Sequence, residues 1–352
     1  MRILIATVQV PFVRGGAEVH GENLRDALQR AGHEAEIVAV PFKWYPPERI
    51  LDTMLSCRLM DLTESSGVKV DVLIGLKFPA YLVPHPKKVL WILHQHRAAY
   101  DLWGHEFGDL HRFPNGSQIR EAIEHADRKL IPEARAVFAN SGNVAKRLEH
   151  YCGLASQVLY HPPPSAELYH GLHHGGDAGD YFFFPSRLNR VKRQELVLEA
   201  LKLTRNPVRV RFSGVSDEAA YPKELRSLAG KLGVAERVEW LGNISEEEKI
   251  AQYAGAIGVL YPPLDEDLGY VTLEAMLAEK PIVTCSDSGG PLEFALPGKT
   301  GMVSEPAAAP FAAALDELWE NRGEARRLGA GGRDYYATLG ISWKNVVGKL
   351  LG

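Results

Sequence analysis

Apolar residues along this chain fall into short β-branched runs separated by stretches of helical period, and the two alternate almost throughout. Residues 2–10 form one such run, closed by Pro11; the pair Gly15-Gly16 follows, and then Val19, Leu24, Ala27 and Leu28 recur at helical spacing up to Gly32. That order predicts strand, glycine turn, helix. Further buried strands are predicted at 36–40, 70–75, 89–93 and 136–139, with helices over 118–129 and 143–151 among them. Every period is interrupted at Pro162-Pro163-Pro164 and in the polar, glycine-rich stretch 171–179, which marks a domain boundary. A second series then begins, with strands at 181–185, 208–213, 238–241, 257–261 and 282–284 and helices at 194–203, 223–232, 246–254 and 271–278. Two more helical segments follow Pro310, and Trp343, Val346, Val347, Leu350 and Leu351 make a last amphipathic pattern with no strand to join.

Strands alternating with helices imply parallel sheets covered on both faces. The expected fold is therefore α/β, with two Rossmann-like, doubly wound domains and a ligand cleft at the carboxyl ends of their strands. The expected divisions are 1–162 and 163–330, followed by a C-terminal helical segment over 331–352. A length of 352 residues suits two such domains.

Composition narrows the function classes. With 45% hydrophobic and 24% charged residues the chain reads as an ordinary globular protein, and a net charge of -4 supplies no global field for nucleic acid. No apolar run is long enough for a membrane span, and the apolar start lacks the cleavage site of an export signal. Cys57, Cys152 and Cys285 are far apart without C-x-x-C spacing, so neither a zinc ribbon nor a disulfide framework is implied. A soluble, cytoplasmic protein is expected, with room for a peripheral contact at the inner face of the membrane. All thirteen histidines lie at or before His174, so histidine chemistry belongs to the first half.

The most informative stretch runs over 261–290. A buried strand ends at Tyr261, an acidic loop follows, and Gly269 precedes a helix that begins near Tyr270 and Val271. A helix start offers unpaired N–H groups and a positive dipole end, a setting that suits a diphosphate. Glu266 and Glu274 frame it with seven residues between them, and Glu274 stands about one turn in, within reach of a ribose diol. Arg187 and Lys192 share one loop directly after the first strand of the second half, where a guanidinium fork and a point charge can clamp a pyrophosphate. In the first half Gly15, Gly16 and Glu18 stand where strand one meets helix one. His94 and His96 follow the fourth strand at the cleft edge. Gly298-Lys299-Thr300 lacks the upstream glycine of a phosphate loop and reads as a polar turn.

Together these features resemble the large family-four retaining glycosyltransferases, which have the GT-B fold. The resemblance rests on R-L-x-x-x-K at 187–192, the E-x7-E pair Glu266 and Glu274, the L-E-A-M helix, the K-P-I-V strand and the S-G-G-x-x-E loop at 288–293. It is strongest over 181–303. In the first half it rests on 15–18, on Gly32-His33-Glu34, on the histidine after the fourth strand and on Ala139-Asn140-Ser141. Ser342-Trp343 resembles the start of the family's terminal helix, which returns to the first domain. The resemblance implies a hexosyltransferase that is retaining and metal-independent, with no cofactor beyond a UDP- or GDP-linked sugar donor. The acceptor would be a hydroxyl of a glycan, a lipid-linked saccharide or a small metabolite. Arg187 and Lys192 would hold the diphosphate, Glu274 the ribose, and Asn243 and Ile244 the base. Glu266 and the amides near Gly269 would face the sugar, joined by His94 or His96 from the first domain, with Gly16 near the phosphates. The rival readings are a non-catalytic sugar-nucleotide-binding protein and a GT-B epimerase or phosphorylase.

Overall fold

A computed structural model describes residues 1–171, 179–216 and 218–352. The core of the predicted glycine-rich boundary, with His173 and His174, lies outside the described residues. The chain divides into two compact units, one of Met1–His161 with Ile341–Gly352 and one of Pro162–Gly340. Among the described residues no helix is long and apolar enough to cross a membrane.

The first unit begins with β1 (Arg2–Gln9), α1 (Gly16–Arg30), β2 (Glu34–Pro41) and α2 (Glu48–Leu59). A two-strand hairpin, β3 (Glu64–Ser65) and β4 (Val68–Lys69), leads to β5 (Val72–Lys77) and β6 (Lys88–His94). The unit continues with α3 (Gly116–Leu130), β7 (Ala136–Ala139), α4 (Gly142–Cys152) and β8 (Gln157–Val158). Its sheet is parallel, in the order β2-β1-β5-β6-β7-β8. Strands β5 and β6 lie inside it and read as continuous apolar runs because both of their faces are covered. Helix α1 buries His20, Gly21, Leu24, Ala27 and Leu28, one face at helical spacing. Ser141 caps α4 by accepting the Val144 N–H, and Gly153 ends that helix at φ 69°.

The second unit holds β9 (Tyr181–Pro185), α5 (Gln194–Leu203), β10 (Arg209–Ser213), α6 (Tyr221–Leu232), β11 (Val238–Gly242) and α7 (Glu246–Gly255). Then come β12 (Val259–Leu260), α8 (Tyr270–Leu277), β13 (Ile282–Cys285), β14 (Gly301–Ser304), α9 (Ala308–Glu320) and α10 (Arg322–Thr338). Its sheet is also parallel, ordered β11-β10-β9-β12-β13-β14. Strand β9 is buried at all five positions and pairs with β10 on one side and β12 on the other. The strand order reverses there, and the carboxyl ends of strands at such a switch point are where open α/β sheets bind ligands.

Helix α10 runs unbroken through Thr338, so residues 331–340 lie with the second unit and only the last helix, α11 (Trp343–Leu351), lies with the first. Val346, Val347 and Leu350 pack into one cluster with Ile3, Leu24, Leu28 and Trp91. Ser342 caps the helix by accepting the Asn345 N–H at 3.1 Å. At its start the Trp343 ring lies 5.8 Å from His161 and 6.3 Å from Trp91. His20 and His161 share a contact of 3.1 Å between Nδ1 and Nε2 in this buried knot.

Burial first, and the neighbouring His161 second, hold the His20 pKa well below its usual 6.5. A histidine that resists protonation only when folded lets the unfolded chain bind more protons, so its contribution to stability is present above pH 6.5 and declines as pH falls. Melting followed from neutral pH into acid should show that loss, at up to about 1.4 kcal/mol per pH unit for one proton. His20→Phe should flatten it; an unchanged pH dependence in the variant refutes the assignment.

Candidate functional site

Three loops meet at the carboxyl ends of β9, β12 and β13. The loop after β9 carries Arg187 and Lys192, the loop after β12 carries Glu266 and leads to Gly269, and the loop after β13 carries Asp287 to Gly290. Backbone hydrogen bonds join them: Leu264 N to Val191 O at 2.7 Å, Asp265 N to Asp287 O at 2.9 Å, Glu266 N to Ser288 O at 2.9 Å, and Gly290 N to Glu266 O at 2.7 Å. Arg193 adds a bidentate pair to Asp287, at 2.7 and 2.5 Å. A side chain at position 290 would place its Cβ 2.4 Å from the Asp267 carbonyl oxygen, so the close approach of these loops requires glycine.

Within this frame the Lys192 ammonium pairs with the Glu266 carboxylate and donates to the Tyr261 hydroxyl at 3.1 Å. Both charged side chains are mostly buried, and the ammonium also lies 5.3 Å from the centre of the Tyr261 ring. Two of the residues singled out in the sequence are thus bonded to each other. Arg187 stands exposed at the start of the same loop, its carbonyl accepting from Gln194 Nε2 at 2.9 Å. Gly269 caps α8 at φ 81°, and a Cβ there would approach the Tyr261 ring to 2.7 Å. The helix start at Tyr270 and Val271 therefore lies beside the Lys192–Glu266 pair.

Glu274 is only 4% exposed and is held from α7: its Oε1 accepts from Lys249 Nζ at 3.0 Å and its Oε2 from the Tyr253 hydroxyl at 2.6 Å. Lys249 also pairs with Glu246 at 2.9 Å, which ties α8 to the start of α7. Asn243 and Ile244 lie just before that start, where Ser245 and Glu248 form a reciprocal capping box. Sequence reasoning missed Lys249, Tyr253 and Arg193. Lys249 and Tyr253 are four apart on one helical face, but nothing in that spacing names Glu274 as their partner.

In the first unit Gly15 caps α1, and the Glu18 carboxylate accepts the Gly15 N–H at 2.8 Å while lying 3.8 Å from Lys77 Nζ. The start of α1, with Gly16 exposed, thus already has a carboxylate of its own. His94 ends β6 with its Nδ1 2.7 Å from the Gln95 carbonyl oxygen. His96 sits against the rings of Phe42 and Phe78, and its Nε2 is buried with no hydrogen-bond partner among the described residues. Burial lowers the His96 pKa to about 4, leaving it neutral at physiological pH. Asp265-Glu266-Asp267 has the letters of a D-x-D motif, yet among the described residues no group of three or more His, Cys, Asp or Glu could hold a metal ion.

Residues 176–335 match the family of glycosyl transferases group 1. The second unit is a group 1 glycosyltransferase domain. The chain is 31% identical over 121 residues to the alpha-1,3/1,6-mannosyltransferase ALG2 of Dictyostelium discoideum, covering 34% of this chain and 29% of that protein. It is 26% identical over 285 residues to the GDP-mannose-dependent alpha-(1-6)-phosphatidylinositol monomannoside mannosyltransferase of Mycobacterium tuberculosis, covering 79% of this chain and 72% of that one. It spans 29% to 54% of the length of three of its curated relatives. Among solved structures, HepE of Anabaena in complex with UDP and glucose aligns with 99% of this chain and 98% of its own, at a TM-score of 0.68 and 18% identity. Sucrose-phosphate synthase of Thermosynechococcus elongatus aligns over 99% and 97%, at a TM-score of 0.73 and 17% identity. The fold of the chain is GT-B.

Proposed function

We propose that the chain transfers a hexose from a UDP- or GDP-linked sugar to a hydroxyl acceptor, retaining the anomeric configuration and using no metal or other cofactor. The observation that carries this reading is the meeting of Lys192, Glu266 and the start of α8 at the switch point of the second unit. Arg187, Lys192 and the amides of Tyr270 and Val271 beside Gly269 take the diphosphate, and Glu266 takes the sugar. Glu274 takes the ribose, and Asn243 and Ile244 flank the base. In support of the donor class, HepE is bound to UDP and glucose and the mycobacterial relative is GDP-mannose-dependent. The acceptor is a glycan, a lipid-linked saccharide or a small metabolite, handled by the first unit on the cytoplasmic side of the membrane. From that unit Gly15 and Gly16 serve the phosphates, and His94 serves the sugar in preference to His96, whose Nε2 is enclosed without a partner among the described residues.

In the proposed step the acceptor oxygen bonds to the anomeric carbon as that carbon's bond to the diphosphate breaks, and the departing phosphate oxygen takes the acceptor's proton. A double displacement would need a carboxylate nucleophile on the face opposite the leaving group. Glu266 is engaged by Lys192, and Glu274 by Lys249 and Tyr253, which supports front-face attack instead. Arg187, Lys192 and the helix start then stabilise the charge that develops on the diphosphate.

A thermal-shift comparison of UDP, GDP and ADP identifies the base, since a ligand at 100 times its Kd stabilises by about 2.7 kcal/mol. NMR of the product from an α-linked donor should show an α-linkage, and turnover should persist in excess chelator. A β-linked product overturns retention, and activity restored to a chelated enzyme by manganese overturns metal independence.

A further inference from the structure

Beneath the carboxyl end of β6, Asp127 on α3 is fully buried and accepts three hydrogen bonds. The Tyr81 hydroxyl donates to Oδ1 at 2.8 Å, and the Tyr100 hydroxyl and Gln95 Nε2 donate to Oδ2 at 2.7 and 2.9 Å. Cys152 on α4 closes the cluster, accepting from Gln95 Nε2 at 3.2 Å and lying 3.7 Å from the Tyr100 oxygen. Among the described residues no cation forms an ion pair with Asp127. A buried carboxylate held only by neutral donors is a costly way to fill a core.

Two of its three donors belong to the short segment that leaves β6. Gln95 lies between His94 and His96, and Tyr100 ends the turn that follows, in which the Ala99 amide donates to the His96 carbonyl at 2.8 Å. Arg120, also on α3, donates to the Ala99 carbonyl at 2.9 Å, so α3 grips the segment at three of its residues.

We infer that Asp127 is a positioning residue for sugar transfer, fixing residues 95–100 through Gln95 and Tyr100 so that His94 is presented in one conformation. The inference rests on the proposed reading that this edge of the first unit serves the sugar. The ionised carboxylate satisfies all three donors, whereas a protonated one turns a donor toward a donor and releases one of them. The titratable groups facing it are Glu124 on its own helix, Tyr81, Tyr100 and Cys152. Burial raises both phenols and the thiol, and raises the Asp127 carboxyl to about 6, so Asp127 is the member of the cluster that changes charge near neutral pH.

The test is release of free sugar from UDP-glucose and from GDP-mannose by the full chain, with kcat and KM followed from neutral pH into acid. Asp127→Asn should lower kcat roughly tenfold to a hundredfold with little change in donor KM, and should abolish the acid limb of the kcat profile. Tyr100→Phe keeps the carboxylate but removes a bond that favours its charged form, so its acid limb should move to higher pH. Where Asp127→Asn fails to fold, the limb in Tyr100→Phe decides. A wild-type kcat retained in Asp127→Asn, or an acid limb unmoved in either variant, overturns the inference alone. A wild-type chain that neither binds nor turns over any sugar nucleotide overturns the proposed function and the inference with it.

Discussion

Lys192→Ala should weaken nucleoside diphosphate binding by about 2–5 kcal/mol, with a smaller loss for the monophosphate. The lysine side chain is 13% exposed and the paired Glu266 18%, so their charges act in a medium less screening than water. Truncation removes the cation and leaves the Glu266 carboxylate facing the incoming phosphates, and both effects act against the ligand. Lys192→Arg should rescue poorly, because a planar fork does not replace a point charge packed against the Tyr261 ring. Calorimetry with the di- and monophosphates decides the matter: equal losses for the two would mean that Lys192 does not act on the diphosphate.

The second large effect concerns stability. Glu274→Ala should destabilise the second unit by about 3–5 kcal/mol, because it leaves the Lys249 ammonium and the buried Tyr253 hydroxyl without their shared acceptor. Melting should fall by on the order of 10 °C. Glu274→Gln is the gentler probe. It keeps an acceptor for Tyr253, loses the ion pair, and should weaken ribonucleotide binding more than deoxyribonucleotide binding if the carboxylate also holds the ribose. If the two nucleotides lose affinity alike, the ribose role falls while the structural role stands. A Glu274→Ala protein that melts like the wild type would remove the structural role.

What could be read from the sequence follows from which signals are local. Strands such as β6 and β9 are buried on both faces, so their apolar runs stand out without knowledge of neighbours. The two-residue β8 is too short to show a period, and β14 carries only partly buried residues after its first position. Helix α2 buries only Ile50, Met54 and Cys57, too sparse a face to announce itself. At the site, the chemistry of Arg187, Lys192, Glu266 and Glu274 was visible as residue types at loop and helix starts. Their partners were not, because the Lys192–Glu266 and Lys249–Glu274 pairs join residues 74 and 25 positions apart. Asp127 was invisible for the same reason: its donors come from Tyr81 and from the segment 95–100, both distant from it in the chain, and an acid inside an amphipathic helix reads as solvated.

The return of α11 to the first unit has a consequence for biosynthesis. That helix covers His20, Leu24 and Trp91, but it follows the whole of Pro162–Gly340 in the chain. At about 5–20 residues per second, a ribosome needs on the order of ten to forty seconds to make the intervening unit. Through that interval Leu24 and Trp91 of the nascent first unit lack the apolar cover of α11, which arrives only when that helix has left the exit tunnel.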